Sequence, residues 1–414
     1  MDVSRSVAEV AYLQDGVLQP GGKVLLRHPE LDQFSARLGR GDHVVLEATG
    51  NTAAIVRALK PHAEQVIVAN PLQVRLIAEA RVKTDKIDAG ILAQLYAAGF
   101  LPRVWMPDDQ TEALRRQVSR RQQLVRQATR LKNQIHAVLA ANLIESCPAT
   151  DLFGKKGRAW LVSQPLPMDE KISITQRLRA LDLLAQDLKE LEQPLAQAAL
   201  ESTDARLLLS ISGVNGTVAM SLLAAIGDIS RFSSPGKLVS YLGLNPSVFQ
   251  TGNQPARHGR ITKRGRSQAR GMLVEAAWSV AQNPGPLRAF YLRVRSRRGQ
   301  QIAAVATARK LAVIVWHVLS TKEPYAWERP ALSAHKLRQL QLASGMATQH
   351  GSRKGISAAY SLKAIRDAER TAAEQAERQY QRLFSRWEQM RPKDASSARW
   401  PKATAASVEG WTGR

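Results

Sequence analysis

Four acidic residues near the start of the chain have the types and placement for metal chemistry. Asp2 lies where a first strand would run, Glu47 ends the apolar part of VVLEATG, and Asp85 and Asp88 stand three apart in KTDKIDAGILAQL. On a helix, a spacing of three puts two side chains on one face, so Asp85 and Asp88 can converge with two carboxylates carried by strands. Four hard oxygen donors at one point repel one another unless cations neutralise them. Mg²⁺ suits such a site because it prefers carboxylate, water and phosphate oxygens. Two such ions about 3.5–4 Å apart activate a nucleophile and stabilise the leaving oxygen of an in-line phosphoryl displacement. Taken singly, each acid reads as a solvated surface charge; the placement on strand, strand and helix is what joins them.

A second constellation is basic. Between Thr251 and Lys310 there are thirteen Lys and Arg residues and one acid, Glu275. Within it Arg257, His258, Arg260, Lys263, Arg264, Arg266 and Arg270 are interrupted by Gly259 and Gly265, a pattern suited to a loop and helix start that follow a phosphate backbone. A solvated basic face is the alternative. The formal charge of the chain is +24, yet residues 1–100 hold 11 basic and 11 acidic residues, so the whole excess lies beyond them. That asymmetry points to a polyanionic partner, since each neutralised phosphate releases condensed counterions. Nucleic acid fits better than a membrane surface.

Other classes recede. No stretch approaches the ~18 uninterrupted apolar residues of a membrane-spanning helix. The start MDVSRSVAEVAYLQDG lacks the basic-then-apolar order of a secretory signal. One cysteine, Cys147, leaves no internal disulfide framework and no thiolate metal cage, in keeping with a reducing cytoplasm.

The elements that must position these residues change character along the chain. Short β-branched runs at 23–27, 43–50 and 65–70 read as buried strands, with helices over 30–38, 52–59 and 72–80 between them. Asp15-Gly16 predicts a tight hairpin turn. Together these describe a mixed sheet flanked by helices. Residues 111–141 predict one long helix with an apolar seam at Leu114, Val118, Val125, Ala128, Leu131, Ile135 and Val138, basic on its other faces. A second seam runs through Ile174, Leu178, Leu181, Ala185, Leu188, Leu191 and Leu195. The two can pair with each other or with those of another subunit. Residues 206–227 predict helix, glycine turn, helix. The turn Gly213-Val214-Asn215-Gly216 reads either as a phosphate-contacting hairpin of the helix-hairpin-helix kind or as an ordinary tight connection. Phe290, Tyr291, Trp278 and Trp316 read as core. A charged helix over 361–390 precedes a Ser-, Ala- and Pro-rich tail expected to be mobile.

The order Asp2, Glu47 in LEATGN, then KTDKIDA resembles the DEDD signature of the RuvC-like domain in insertion sequence 110 family transposases, relatives of the Piv DNA invertase. The likeness continues through GDISRFSSPGKLVSYLGLNP and QTGNQPARHGRITKRG and spans most of residues 1–325. It implies a ribonuclease-H-like fold whose tetrad Asp2, Glu47, Asp85 and Asp88 binds Mg²⁺, and a C-terminal domain with a hydroxyl that attacks DNA. The family's serine precedes a glycine; here Thr251 precedes Gly252, a departure that puts covalent catalysis in question, with Ser247 and Ser267 as poorer matches. The family's first aspartate lies inside a central strand, whereas only Met1 precedes Asp2, which favours a start upstream of the one given.

The expected organisation is therefore a RuvC-like nuclease domain at 1–100, a helical coiled-coil linker at 101–200, a transposase domain at 201–330 and a basic, partly disordered tail at 331–414. The expected function is Mg²⁺-dependent DNA cleavage and rejoining by a homo-oligomer, with Arg257, Arg260, Lys263, Arg264, Arg266 and Arg270 on the nucleic acid. Kinship alone adds guidance by a bridge RNA. The rivals are a metal-dependent junction nuclease and a nucleic-acid-binding relic without activity.

Overall fold

The computed structural model describes residues 1–78, 84–346 and 362–390, and the chain divides into two compact units, Met1–Asp108 and Asp109–Arg414. The first opens with an antiparallel meander of β1 (Asp2–Val3), β2 (Val7–Gln14) and β3 (Val17–Leu25), in that order. Asp15 (φ 49°) and Gly16 (φ 80°) make the β2–β3 turn. Positive φ at both central residues matches the twist of the strands they join. After α1 (His28–Ser35) come β4 (His43–Glu47), α2 (Thr52–Leu59), β5 (Gln65–Ala69), α3 (Pro71–Ile77), α4 (Asp85–Ala97) and β6 (Arg103–Val104). β4 and β5 are parallel and β6 is antiparallel to β5. The Met1 amine donates to the Val45 carbonyl at 2.6 Å, joining the β1 end of the first sheet to β4 of the second. Sequence periodicity placed helix 52–59 and the strands β4 and β5, whereas the strand expected at 23–27 is the end of the longer β3 and the helix expected at 30–38 is α1; the expected end of the third helix, 79–80, lies outside the described residues.

Alternation along β4 sorts its side chains between two cores. Val44 and Leu46 pack with Val3, Ala8, Val10, Leu31, Phe34, Ile55 and Leu59 beneath α1 and α2. Val45 packs with Ile67, Ala69, Leu92 and Leu101 beneath α4. A strand buried on both faces needs such a continuous apolar run, which is why VVL precedes Glu47.

The second unit is helical: α5 (Asp109–Ala141), α6 (Lys155–Ser163), α7 (Met168–Glu201), α8 (Thr203–Leu209), α9 (Gly216–Ile226), α10 (Pro235–Tyr241), the hairpin β7 (Pro246–Phe249) and β8 (Arg257–Ile261), then α11 (Ser267–Gln282), α12 (Pro286–Arg298), α13 (Gln300–Thr321), α14 (Pro330–Ala343) and α15 (Lys363–Met390). α5 and α7 pair within the chain, antiparallel. Arg121 meets Glu192 at 2.6 Å, while further along α5 Gln134 accepts from Arg177 at 3.3 Å. The apolar seam on α5 departs from expectation at one position: Leu124 is 2% exposed and Val125 37%. The cause is geometric, because a straight helix drifts from a strict seven-residue repeat. Around α13, Leu311, Ala312, Val315 and Leu319 anchor the largest core with Leu208, Leu222, Leu238 and Leu273. By length and mean hydropathy α13 qualifies to cross a membrane, but half of that stretch is buried inside this unit.

Two further features differ from the sequence reading. Residues 257–261, expected as loop, form β8 and pair with β7. The region beyond 330 packs into the second unit as far as it is described: the Lys336 ammonium donates to the Leu209 and Ile211 carbonyls at 2.7 and 2.9 Å, and Glu377 on α15 accepts from the Gly285 amide at 3.0 Å. The tail at 391–414 lies outside the described residues. Tyr291 is buried against Trp278, and the Trp316 indole donates to the Phe232 carbonyl, so these aromatics are core.

Ile135 on α5 is fully buried with Leu139, Leu161, Ile174 and Leu181. Ile135→Ala is expected to destabilise the protein by about 2–5 kcal/mol, measured as a lowered midpoint in urea unfolding with an unchanged slope.

Candidate functional site

Strand alternation decides which acids can meet. On β1, Val3 points into the core beneath α1 and α2, so Asp2 belongs to the opposite face, the one α4 covers. On β4, Val45 packs on the α4 side, and Glu47, two residues on, shares that side. α4 starts at this face. The Thr84 hydroxyl accepts from the Ile87 amide at 3.3 Å as its N-cap, leaving Asp85 and Asp88 in the first turn. Carboxylates are favoured there by the positive end of the helix dipole, and buried Ala89 and Leu92 hold the helix down.

The electrostatics register the approach. Burial, then the Asp85 and Asp88 carboxylates, push the half-buried Asp2 carboxyl above its ordinary value, while the N-terminal amine and the Val3 amide pull it down. Asp85 and Asp88 therefore stand near enough to act on Asp2, and Glu47 stands on the same face. A fifth acid was missed: Glu9 on β2 lies directly opposite Asp2 in the strand register and is only 4% exposed. Its signal was the alternation in VAEVA, where a charge occupies a position between two buried neighbours. Among the described residues no three His, Cys, Asp or Glu side chains stand close enough together to hold one ion. The donor set is nonetheless all carboxylate, which suits a hard divalent cation rather than a softer one.

In the second unit Thr251 sits exposed in the loop between β7 and β8, where its carbonyl accepts from Gln254 at 3.2 Å and Gly252 takes a positive φ of 52°. Ser247 is tied inside the hairpin, its hydroxyl donating to the Arg260 carbonyl at 3.2 Å, and Ser267 opens α11. Arg257, Arg260, Lys263 and Arg264 are exposed on β8 and the loop after it. Arg266 and Arg270 are tied to protein groups, Arg266 while still exposed and Arg270 partly buried. The Arg266 guanidinium donates to the Tyr241 hydroxyl at 2.9 Å, and that of Arg270 donates to the Leu242 and Lys263 carbonyls at 3.0 and 3.2 Å. Gly265 lets this crossing form, since a Cβ there would stand 2.1 Å from the Tyr241 carbonyl oxygen. The glycine turn at 213–216 is packed rather than open. Ile211 and Val214 are fully buried, and a Cβ on Gly213 would meet the Ala276 carbonyl of α11 at 2.7 Å.

Comparison with known proteins agrees with both halves. Residues 24–142 match a family model for DEDD transposases of the IS110 type, and residues 205–292 match the model described as Transposase IS116/IS110/IS902 family. The chain belongs to this family of transposases. It is 25% identical over 288 residues to the transposase for insertion sequence element IS1111A of Coxiella burnetii, covering 68% of this chain and 79% of that protein. It is 27% identical over 294 residues to the pilin gene-inverting protein of Moraxella bovis, covering 68% and 81%. Against the protein y4qE of Sinorhizobium fredii identity is 29% over 268 residues, 64% of this chain and 66% of the relative.

A carboxyl whose folded pKa is raised is bound more tightly by protons in the native state, so its contribution to stability falls as pH rises from the ordinary carboxylate range through the raised folded value. Asp2→Asn is accordingly expected to raise the melting temperature at neutral pH in a chelator, with the gain shrinking as pH falls to the ordinary carboxylate range. Mg²⁺ should raise the melting temperature of the unmodified protein and leave that of Asp2→Asn unmoved. A calorimetric pH series with and without Mg²⁺ checks both.

Proposed function

We propose that the chain is a DNA transposase or site-specific recombinase that cuts and rejoins strands in a Mg²⁺-dependent reaction. The observation that carries this reading is the placement of Asp2, of Glu47 and of the first turn of α4, with Asp85 and Asp88, on one face of the sheets. The first unit, with its meander leading into parallel β4 and β5 and a helix laid across one face, is compatible with a ribonuclease-H-like, RuvC-like domain. Asp2, Glu47, Asp85 and Asp88 would hold Mg²⁺, which when bound supplies Lewis-acid polarisation of a phosphodiester. The acids' own part is to position that charge and to offer oxygens that accept protons as strands exchange.

Thr251 is the proposed nucleophile of the second unit. Its exposed loop position gives the hydroxyl access to DNA, and its β-methyl restricts the rotamers from which attack is possible. Attack by the Thr251 oxygen on phosphorus forms a phosphothreonine ester and breaks the bond to one deoxyribose oxygen. The threonine proton passes to a base, and the leaving oxygen takes one up. Arg257, Arg260, Lys263 and Arg264 would neutralise backbone phosphates beside it. On this reading the working enzyme is an oligomer acting on two duplexes in the cytoplasm, with a bridge RNA as the guide implied by kinship.

Purified protein incubated with DNA carrying both element ends, with and without transcripts of the element, reports cleavage, guide dependence and adducts together. Asp85→Ala is expected to lower Mg²⁺-dependent strand transfer by about 100-fold or more while DNA binding is retained. Thr251→Ala should abolish the covalent protein–DNA adduct and Thr251→Ser should keep it. Full cleavage by Thr251→Ala would favour the junction nuclease instead, and absence of all Mg²⁺-dependent cutting would leave a binding protein.

A further inference from the structure

The charges of α15 are sorted between its two faces. Glu369 and Glu377 are turned onto the protein: Glu369 accepts from the Ala331 amide at 2.8 Å beside Arg329, and Glu377 accepts from the Gly285 amide at 3.0 Å beside Arg288. The apolar part of the same face is a run of Tyr380, Phe384 and Trp387, with the Arg293 guanidinium of α12 lying 3.3 Å over the Phe384 ring. On the other side Arg378, Arg382 and Arg386 are all exposed. Successive spacings of four put them on one face, in steps of about 6 Å along the axis. With Gln381, Ser385 and Gln389 they wall an open groove that, among the described residues, no Asp or Glu lines.

Among the described residues none of these three guanidinium groups has an ion-pair or hydrogen-bond partner. Glu374, one turn before Arg378, is bonded to Arg370 instead, at 3.1 Å. Like charges at i, i+4 oppose one another on a helix. The helix dipole does not offset them, because its reach is the last turn and α15 carries no basic residue there. A polyanion laid along the stripe removes that repulsion. α12 brings more charge of the same sign. It runs beside α15 in the same direction, Gly285 next to Glu377 and Arg293 next to Phe384, so the exposed Arg295 and Arg298 that end α12 come out toward the Arg386 end of α15. A lipid surface fits less well, since the apolar side of α15 is packed on α12 and the outward side carries amides between its arginines. α15 also lies beyond residue 292, where the family match ends.

We propose that the outward face of α15 holds the backbone of duplex DNA, with Arg378, Arg382 and Arg386 on its phosphates and the Gln381 and Gln389 amides donating to oxygens between them. The assignment rests on the DNA-acting reading above and deepens it by adding a contact on a different element from Thr251 and the basic residues of β8. Arginine on phosphate carries no sequence information, so this face grips any duplex and fixes its position rather than choosing its site.

The test uses the full chain, with duplex DNA of unrelated sequences titrated across a salt series. The triple variant Arg378→Gln, Arg382→Gln, Arg386→Gln is expected to reduce the slope of log K against log salt by about two to three, equally for every sequence, with no fall in melting temperature. The matching triple change to Lys should keep the slope. An unchanged slope in the Gln variant would overturn the proposal. So would a slope lost in the Lys variant as well, which would trace the effect to the fold of α15 rather than to its charge. Weakened binding confined to transcripts of the element, or to vesicles of anionic lipid, with the DNA slope intact, would give the face to another partner and overturn the DNA assignment. Mg²⁺-dependent strand transfer by the unmodified chain, measured alongside, separates this contact from the reading beneath it. An unchanged slope with strand transfer present removes the α15 contact alone, whereas a reduced slope in a chain that cuts nothing supports the contact and removes the transposase reading.

Discussion

Burial of carboxyl groups on one face of a small sheet is the constraint around which the first unit is organised. Asp2 is half-buried and faces Asp85 and Asp88, and Glu9 is buried directly across the register from it. Taking a carboxylate out of water works against folding, so the rest of the unit has to hold Asp2 and Glu9 there. Two apolar cores on opposite faces of β4 do so, together with the Thr84 cap and the dipole of α4, which favours acids in its first turn. Placing two acids at a helix start and the others on neighbouring strands concentrates negative charge without breaking the packing of either core.

The second unit poses the opposite problem and solves it by similar means. Arg115, Arg231 and Arg266 gather around Tyr241 and the last turn of α9, where carbonyls of Ala224, Ala225 and Ile226 accept from guanidinium groups. The negative end of a helix dipole is a natural anchor for cations, so α9 holds the arginines that the start of α11 would otherwise repel.

Much of this was legible in the chain. The β-branched runs gave the strands, the i, i+3 spacing in KTDKIDA gave two acids on one helix face, and the charge asymmetry separated a neutral first region from a basic remainder. Less legible was the role of each arginine. Arg257, Arg260, Lys263, Arg264, Arg266 and Arg270 form one basic run in sequence, but Arg270 is partly buried and braces backbone carbonyls, and Arg266, exposed like the others, is bonded to Tyr241. A guanidinium finds its carbonyl acceptors through tertiary approach, and composition carries no record of that. Glu9 was passed over for the same reason, since its importance comes from the residue opposite it on another strand.

Local order along the chain determined the strands, most helices, the turn at Asp15-Gly16 and the types of residue available for metal and phosphate, because these depend on periodicity and near-neighbour geometry. Only the tertiary structure decided that α5 pairs with α7 inside one chain, that the glycine turn at 213–216 is packed against α11, and that Arg115 and Arg266 share a pocket. Each of these is a choice among partners distant in sequence. An apolar seam, a glycine or an arginine is compatible with several such partners until the other elements fill the space.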